Sequence, residues 1–206
     1  MLMSDITAYN FDSIYHQKGI ITAFKEAGYQ TAFFSNQRYN HSFIDFFGKE
    51  ADTFDFIKED SLDSAYNPSD DELLALVAKE LSKGNQKQFI VLHTYGSHFN
   101  YRERYPSEDA FFLPDYPVEA EVKYRDNLVN AYDNTIRYTD SFLSRLIQML
   151  EEQHVDAAML YTSDHGEDIF DDSRHLFLHA SPVPSYYQLH VPFLIWMSDT
   201  YREAYP

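Results

Sequence analysis

Four short runs along the chain are almost continuously apolar. They are "QTAFFSN" (Gln30 to Asn36), "QFIVLHT" (Gln88 to Thr94), "AAMLYTS" (Ala157 to Ser163) and "VPFLIWM" (Val191 to Met197). Each is rich in aromatic or branched residues and too short for a typical helix, so each predicts a strand. Continuous rather than alternating hydrophobicity predicts strands buried on both faces, as in a parallel sheet. Between them the apolar spacing becomes helical. "HQKGIITAFKEAGY" sets Ile20, Ile21, Phe24 and Ala27 on one side and ends at Gly28, a C-cap residue. "NPSDDELLALVAKELSKGN" opens with Pro68, Ser69 and acids and carries the stripe Leu73, Leu74, Val77 and Leu81. The longest predicted helix runs from Val122 to about Glu152, with Leu128, Tyr132, Ile136, Leu143, Leu146, Ile147 and Leu150 as its stripe.

Strands alternating with helices predict an α/β three-layer αβα sandwich with a mostly parallel sheet. In such sheets ligands gather at the carboxyl ends of the strands. Polar clusters fall there: "SNQ" after the first strand, "HTYGSH" after the second and "SDHGED" after the third. The Pro-rich stretch from Tyr101 to Glu119 predicts a loop over that rim.

The third cluster carries the clearest chemistry. Asp164 and His165 stand where the chain leaves a strand, so both can turn toward one cation, and an oxygen with a nitrogen suits Zn²⁺ or Mn²⁺ better than Ca²⁺. Gly166 permits a tight turn, and Glu167 is placed to support a ligand or to act as a helix N-terminal acid. The alternative is a helix start, with Asp164 as cap and His165 on the surface. His179, beyond His175, can donate to phosphate oxygens or protonate a leaving group, or be a half-buried histidine bonded to backbone. His98 follows Gly96 beyond its strand and is a better site candidate than His93, which lies inside it. Arg102 and Arg104 can clamp an anion or serve as ordinary loop charges. No elbow serine, phosphate-cradling glycine loop or cysteine provides a nucleophile.

Composition narrows the classes. At 206 residues and 44% hydrophobic, the chain fits one domain spanning residues 1–206 with a sizeable core, and 17% aromatic residues predict ring-rich layers. A net charge of -17 argues against nucleic-acid binding, and an anionic substrate would need local neutralisation. The chain has no cysteine, so disulfides and thiolate sites are excluded. No window is apolar for long enough to predict a membrane span, and the opening "MLMSDITAYN" lacks the pattern of a signal peptide.

In order, "LHTYGSHFNYRERYP", "YDNTIRYTDSFLSRLI", "YTSDHGED", "LHASPVP" and "VPFLIW" resemble sulfatase-type catalytic domains. More closely they resemble the phosphoethanolamine transferase branch, which decorates lipid A and other envelope glycans. "GYQTAFFSNQ" is similar to that branch's early strand, and the resemblance runs from about Gly19 to Trp196. It implies an alkaline-phosphatase-like fold and a zinc-dependent mechanism. In that mechanism a threonine attacks a phospholipid donor, and phosphoethanolamine passes to an acceptor. The family's metal ligands are an early acidic residue, that threonine and the Asp-His pair, matching Asp164 and His165 here. Its substrate-side histidines match His98 in "GSH" and His179 in "LHASP", although the stretch from Glu167 to His179 is slightly longer than usual. The resemblance also implies a bacterial inner-membrane parent protein with this domain in the periplasm.

The sequence departs from the pattern at its front. Only "MLMSDITAYNFDSIYHQK" precedes the early strand, and Thr7, Thr22 and Asp5 lack the expected context. The expectation is a domain fragment without its N-terminal strand, metal carboxylate and nucleophile, inactive alone, with a sheet edge open to self-association. Two further readings stand beside the transferase: an ester hydrolase of the sulfatase or phosphodiesterase type, and a catalytically dead binding module of the same fold.

Overall fold

A computed structural model describes residues 16, 18–37, 43–57, 69–84 and 87–206. The chain forms two compact units, Met1–Tyr95 and Gly96–Pro206. Asp5, Thr7 and Pro68 lie outside the described residues.

The first unit is built on a parallel sheet. Strands β1 (Gln30–Ser35), β2 (Thr53–Phe56) and β3 (Gln88–His93) lie in the order β2-β1-β3. The central strand buries every residue from Thr31 to Ser35, as its unbroken apolar pattern predicts. Helix α1 (Ile20–Glu26) lays Ile21 onto Phe33, Ala51 and Phe56. Each such buried side chain stabilises by ~1.5–3 kcal/mol. The chain then turns at Gly28, whose φ of +83° is left-handed and so favours glycine. Helices α2 (Phe43–Gly48) and α3 (Glu72–Leu81) complete the unit, and α3 buries Leu73 and Val77. His93 closes β3 with Nδ1 2.9 Å from Ser35 Oγ, the structural placement expected of it.

The second unit is organised by α4 (Arg125–Glu152), which a short 3-10 turn over Val122–Tyr124 precedes. Its buried face is Leu128, Ala131, Asn134, Thr135, Phe142 and Leu146. Ile136 is 48% exposed, because one residue of helix turns it about 100° from Thr135. Tyr101–Glu119 is irregular, as expected, but anchored: Tyr101, Tyr105, Asp115 and Val118 are buried. Asn134 holds it to α4, accepting from the Phe111 and Phe112 amides at 2.9 Å each and donating to Phe112 O at 3.0 Å.

Strands β4 (Ala158–Thr162) and β7 (Phe193–Met197) form an antiparallel ribbon, from Ala158 opposite Met197 to Thr162 opposite Phe193. These two runs predicted strands buried on both faces, yet Leu160, Phe193 and Ile195 are each more than half exposed. The ribbon carries more apolar surface than is covered. Between its strands lie a small antiparallel hairpin, β5 (Asp168–Ile169) with β6 (Phe177–Leu178), and helix α5 (Tyr186–Leu189). Helix α6 (Asp199–Ala204) follows β7 and is capped by Ser198.

Candidate metal centre

The polar cluster begins where β4 ends. Ser163 Oγ donates to His165 O at 2.7 Å, and the His165 amide donates to Asp164 Oδ1 at 3.1 Å. These short-range bonds turn the chain off the ribbon. The Gly166 amide then donates to Gln188 O on α5 at 2.9 Å. At Gly166 the backbones approach so closely that a Cβ would stand 2.0 Å from Tyr187 O, which is why glycine occupies the turn.

His165 Nδ1 lies 3.0 Å from Gly166 O. A carbonyl oxygen only accepts, so Nδ1 carries a proton, and in the neutral ring Nε2 holds the lone pair. That Nε2 is 3.8 Å from Asp164 Oδ2. A carboxylate oxygen and a ring nitrogen thus stand close together at the end of β4. The helix-start alternative is not observed: the chain continues into β5.

The hairpin brings His179 to the same place. Asp168 pairs with Leu178 and Ile169 with Phe177, so one step further along this register sets Glu167 opposite His179. Arg125 anchors the hairpin to α4, with Nη2 2.9 Å from Asp171 Oδ1 and Nε 3.2 Å from Phe170 O. Leu178 (φ +66°) and Ala180 (φ +67°) flank His179 in left-handed backbone, which costs of order 1–3 kcal/mol per residue. The imidazoles of His165 and His179 lie face to face, with centroids 3.8 Å apart and planes 31° from parallel.

Glu167 is the hub beneath them. It is buried, its Oε1 lies 3.1 Å from His179 Nδ1, and its Oε2 accepts the Tyr101 hydroxyl. Tyr101 is wholly buried, and burial, followed by the Glu167 charge and hydrogen bond, pushes its ionisation far above the usual phenol range. Burial, followed by the Glu167 charge, likewise pushes Tyr132 up to about 12. Both phenols therefore remain protonated, and Tyr101 remains a donor.

Ligand atoms of His165, Glu167 and His179 all lie within 4.8 Å of one another. Asp164, His165 and His179 also line one cavity of about 250 Å³, together with Gln188 and Leu189. Nitrogen and carboxylate donors in this arrangement fit a zinc ion. Asp164 lies outside that group of three: its carboxylate is largely exposed, 3.8 Å from His165 Nε2, whereas both Glu167 oxygens hold protein hydrogen bonds.

His98 lies on the loop after β3. Its Nδ1 lies 2.5 Å from Phe99 O, and it neither joins the His165–Glu167–His179 group nor lines the cavity. Arg102 is engaged by Asp115 at 3.0 Å and Ser107 at 2.6 Å, and Arg104 by Asn100 O at 3.3 Å and Glu103 at 3.2 Å, so both serve their own loop. His175 sits at the hairpin turn, its amide bonded to Asp172 O at 3.0 Å. Tyr101 and Gln188 carry no local motif that would have marked them.

The chain is similar to several phosphoethanolamine transferases. The Kdo(2)-lipid A phosphoethanolamine 7''-transferase of Escherichia coli K12 is 36% identical over 138 residues, covering 65% of this chain and 24% of that protein. Phosphoethanolamine transferase EptA of Helicobacter pylori is 33% identical over 147 residues, covering 68% and 28%. The chain thus spans about a quarter of the length of these relatives. The soluble domain of lipooligosaccharide phosphoethanolamine transferase A from Neisseria meningitidis superposes with a TM-score of 0.81 at 28% identity, covering 97% of this chain and 59% of that one. The periplasmic domain of EptC from E. coli, solved in complex with Zn, shares the fold with a TM-score of 0.82 at 24% identity, covering 92% and 55%. The sulfatase family model matches residues 1–205, and the chain belongs to that family, within which the relatives it resembles are named phosphoethanolamine transferases.

Proposed function

We propose that this chain supplies the Asp-His metal pair and a substrate-side histidine of a phosphoethanolamine transferase acting on an envelope lipid or glycan. One observation carries the reading: Asp164 and His165 leave β4 together, and His179 is stacked on His165 at the wall of the same cavity. Matches to transferases of lipid A and lipooligosaccharide support the substrate class.

Asp164 and His165 Nε2 would hold zinc, which, when bound, offsets negative charge on a phosphoryl oxygen. His165 is oriented for this by the Gly166 carbonyl on its other nitrogen. His179 offers its second nitrogen to an oxygen of the phosphodiester. On a chain of net charge -17 this local neutralisation matters, because the reacting phosphodiester group is anionic. His98 remains a substrate-side proposal from the family motif alone. Transfer also needs a nucleophile and a further acidic ligand, roles that Asp164, His165 and His179 do not fill. The parent protein would act at the bacterial inner membrane with this domain in the periplasm, its donor a phospholipid. Among the described residues no helix is long and apolar enough to cross a membrane.

The test is transfer of phosphoethanolamine from a phospholipid to lipid A by the parent protein, with zinc content measured in parallel. Asp164→Ala and His165→Ala should each lower zinc affinity at least tenfold and reduce transfer at least a hundredfold. Unchanged transfer in both variants overturns the reading and leaves a binding module. Release of phosphoethanolamine to water, with no acceptor labelled, makes the parent a hydrolase instead.

A further inference from the structure

The Tyr101–Glu167–His179 chain of contacts goes beyond metal binding. Glu167 is a buried carboxylate at the floor of the site, and each of its oxygens has one partner: the Tyr101 hydroxyl on Oε2 and the His179 ring on Oε1 at 3.1 Å. A carboxylate at this position accepts from both. Nδ1 of His179 is therefore the protonated nitrogen, and Nε2 is left with the lone pair in the neutral ring or with a second donor proton in the charged one.

A loop and the two strands of one hairpin make this arrangement. Tyr101 comes from the turn after His98, Glu167 from the residue preceding β5, and His179 from the residue following β6. The His179 side chain is 35% exposed and that of Glu167 5%, so a buried group grips a ring that reaches the surface. The phenol is locked as well: its ring packs edge-on against Phe99 and Tyr132, with centroids 5.4 and 5.2 Å away.

We propose that Tyr101 and Glu167 are positioning residues, fixing the His179 ring with Nδ1–H on Glu167 so that Nε2 is the nitrogen presented to a phosphodiester oxygen. The identity of that oxygen rests on the transferase reading above; the fixed tautomer does not. Tyr101 orients Glu167 through its hydroxyl, and Glu167 orients His179, so neither touches substrate.

The test uses histidine ¹⁵N NMR on the 206-residue chain, treated with chelator, at a pH where the ring is neutral. His179 should be the Nδ1–H tautomer in the wild type. In both Tyr101→Phe and Glu167→Gln its Nδ1 proton should exchange with water at least tenfold faster, because the charge-assisted bond is weakened or removed. In the intact transferase the same substitutions should lower kcat about 10–100-fold with zinc retained. An Nε2–H tautomer in the wild type, or exchange unchanged in both variants, overturns the proposal. Should Tyr101→Phe fail to fold, the near-isosteric Glu167→Gln decides alone. The expected tautomer in a parent protein that transfers nothing would sink the function while leaving the positioning intact.

Discussion

Gly166 and Tyr187 touch backbone to backbone: the pro-Cβ position of the glycine is 2.0 Å from the Tyr187 carbonyl oxygen. No rotamer change relieves such a contact, since the opposing atom is main chain. Gly166→Ala must therefore push the Asp164–Gly166 turn away from α5 and break the amide bond to Gln188 O. The expected cost is about 1–3 kcal/mol, typical of overpacking. Urea unfolding followed by the single tryptophan, Trp196 on β7, measures it. Zinc affinity should fall with stability, because Asp164 and His165 sit on the displaced turn.

Asn134 offers a second, purely structural test. Its side chain satisfies the amides of Phe111 and Phe112, the Phe112 carbonyl and the Tyr105 hydroxyl, all from within α4. Truncation to alanine leaves several of these groups without partners, at about 2–4 kcal/mol in total. Hydrogen exchange at the Phe111 and Phe112 amides should accelerate together, ahead of the amides of α4. Equal protection in mutant and wild type would mean that the loop is held by other contacts.

Alkaline pH should loosen the second unit. Burial, with the Asp115 hydrogen bond adding to it, raises Tyr105 from 10.0 to about 12, and burial raises Tyr132 to the same range. A phenol with a raised folded value is more stable protonated in the native state. Its contribution is complete below pH 10 and is lost as the pH climbs toward 12. Tyr105→Phe and Tyr132→Phe together should reduce the fall in stability across that window, leaving the part due to Tyr101, read by Trp196 fluorescence.

The first unit should show the opposite sign at acid pH. Asp52 is lowered from 3.8 to about 2, first by the Lys25 ammonium and then by the Thr31 amide. Lys25 Nζ is 2.5 Å from Asp52, and Thr31 donates both N–H and O–H, at 3.0 and 2.9 Å. The stability this supplies is present above pH 4 and disappears as the pH falls through 2. Asp52→Asn should remove that acid dependence, measured at the Thr31 amide, and leave the alkaline profile of the second unit unchanged.

The parts of this molecule legible in the sequence were those set by local periodicity. β1 is buried throughout because its apolar run is unbroken, and α4 ends at Glu152 where its pattern stops. Asp164 and His165 were recognisable as candidates because two ligand types stand at a strand end. Glu167 was legible only as a supporting acid, not as the hub. Tyr101 was not legible at all, because 66 residues separate it from Glu167 and a tyrosine in an irregular loop has no periodic signature. The exposed, antiparallel course of β4 and β7 escaped for a related reason: hydrophobicity reports what a strand could bury, not which neighbour it pairs with.

The β5–β6 register makes the separation of Glu167 and His179 in space independent of how many residues lie between them. Additions or deletions at the hairpin tip, around Asp172–His175, change the length of the excursion but not what stands at its base. Homologues can therefore drift in loop length while keeping the same chemistry. An alignment that counts residues from "SDHGE" to the next histidine will misjudge them, and one that follows strand pairing will not.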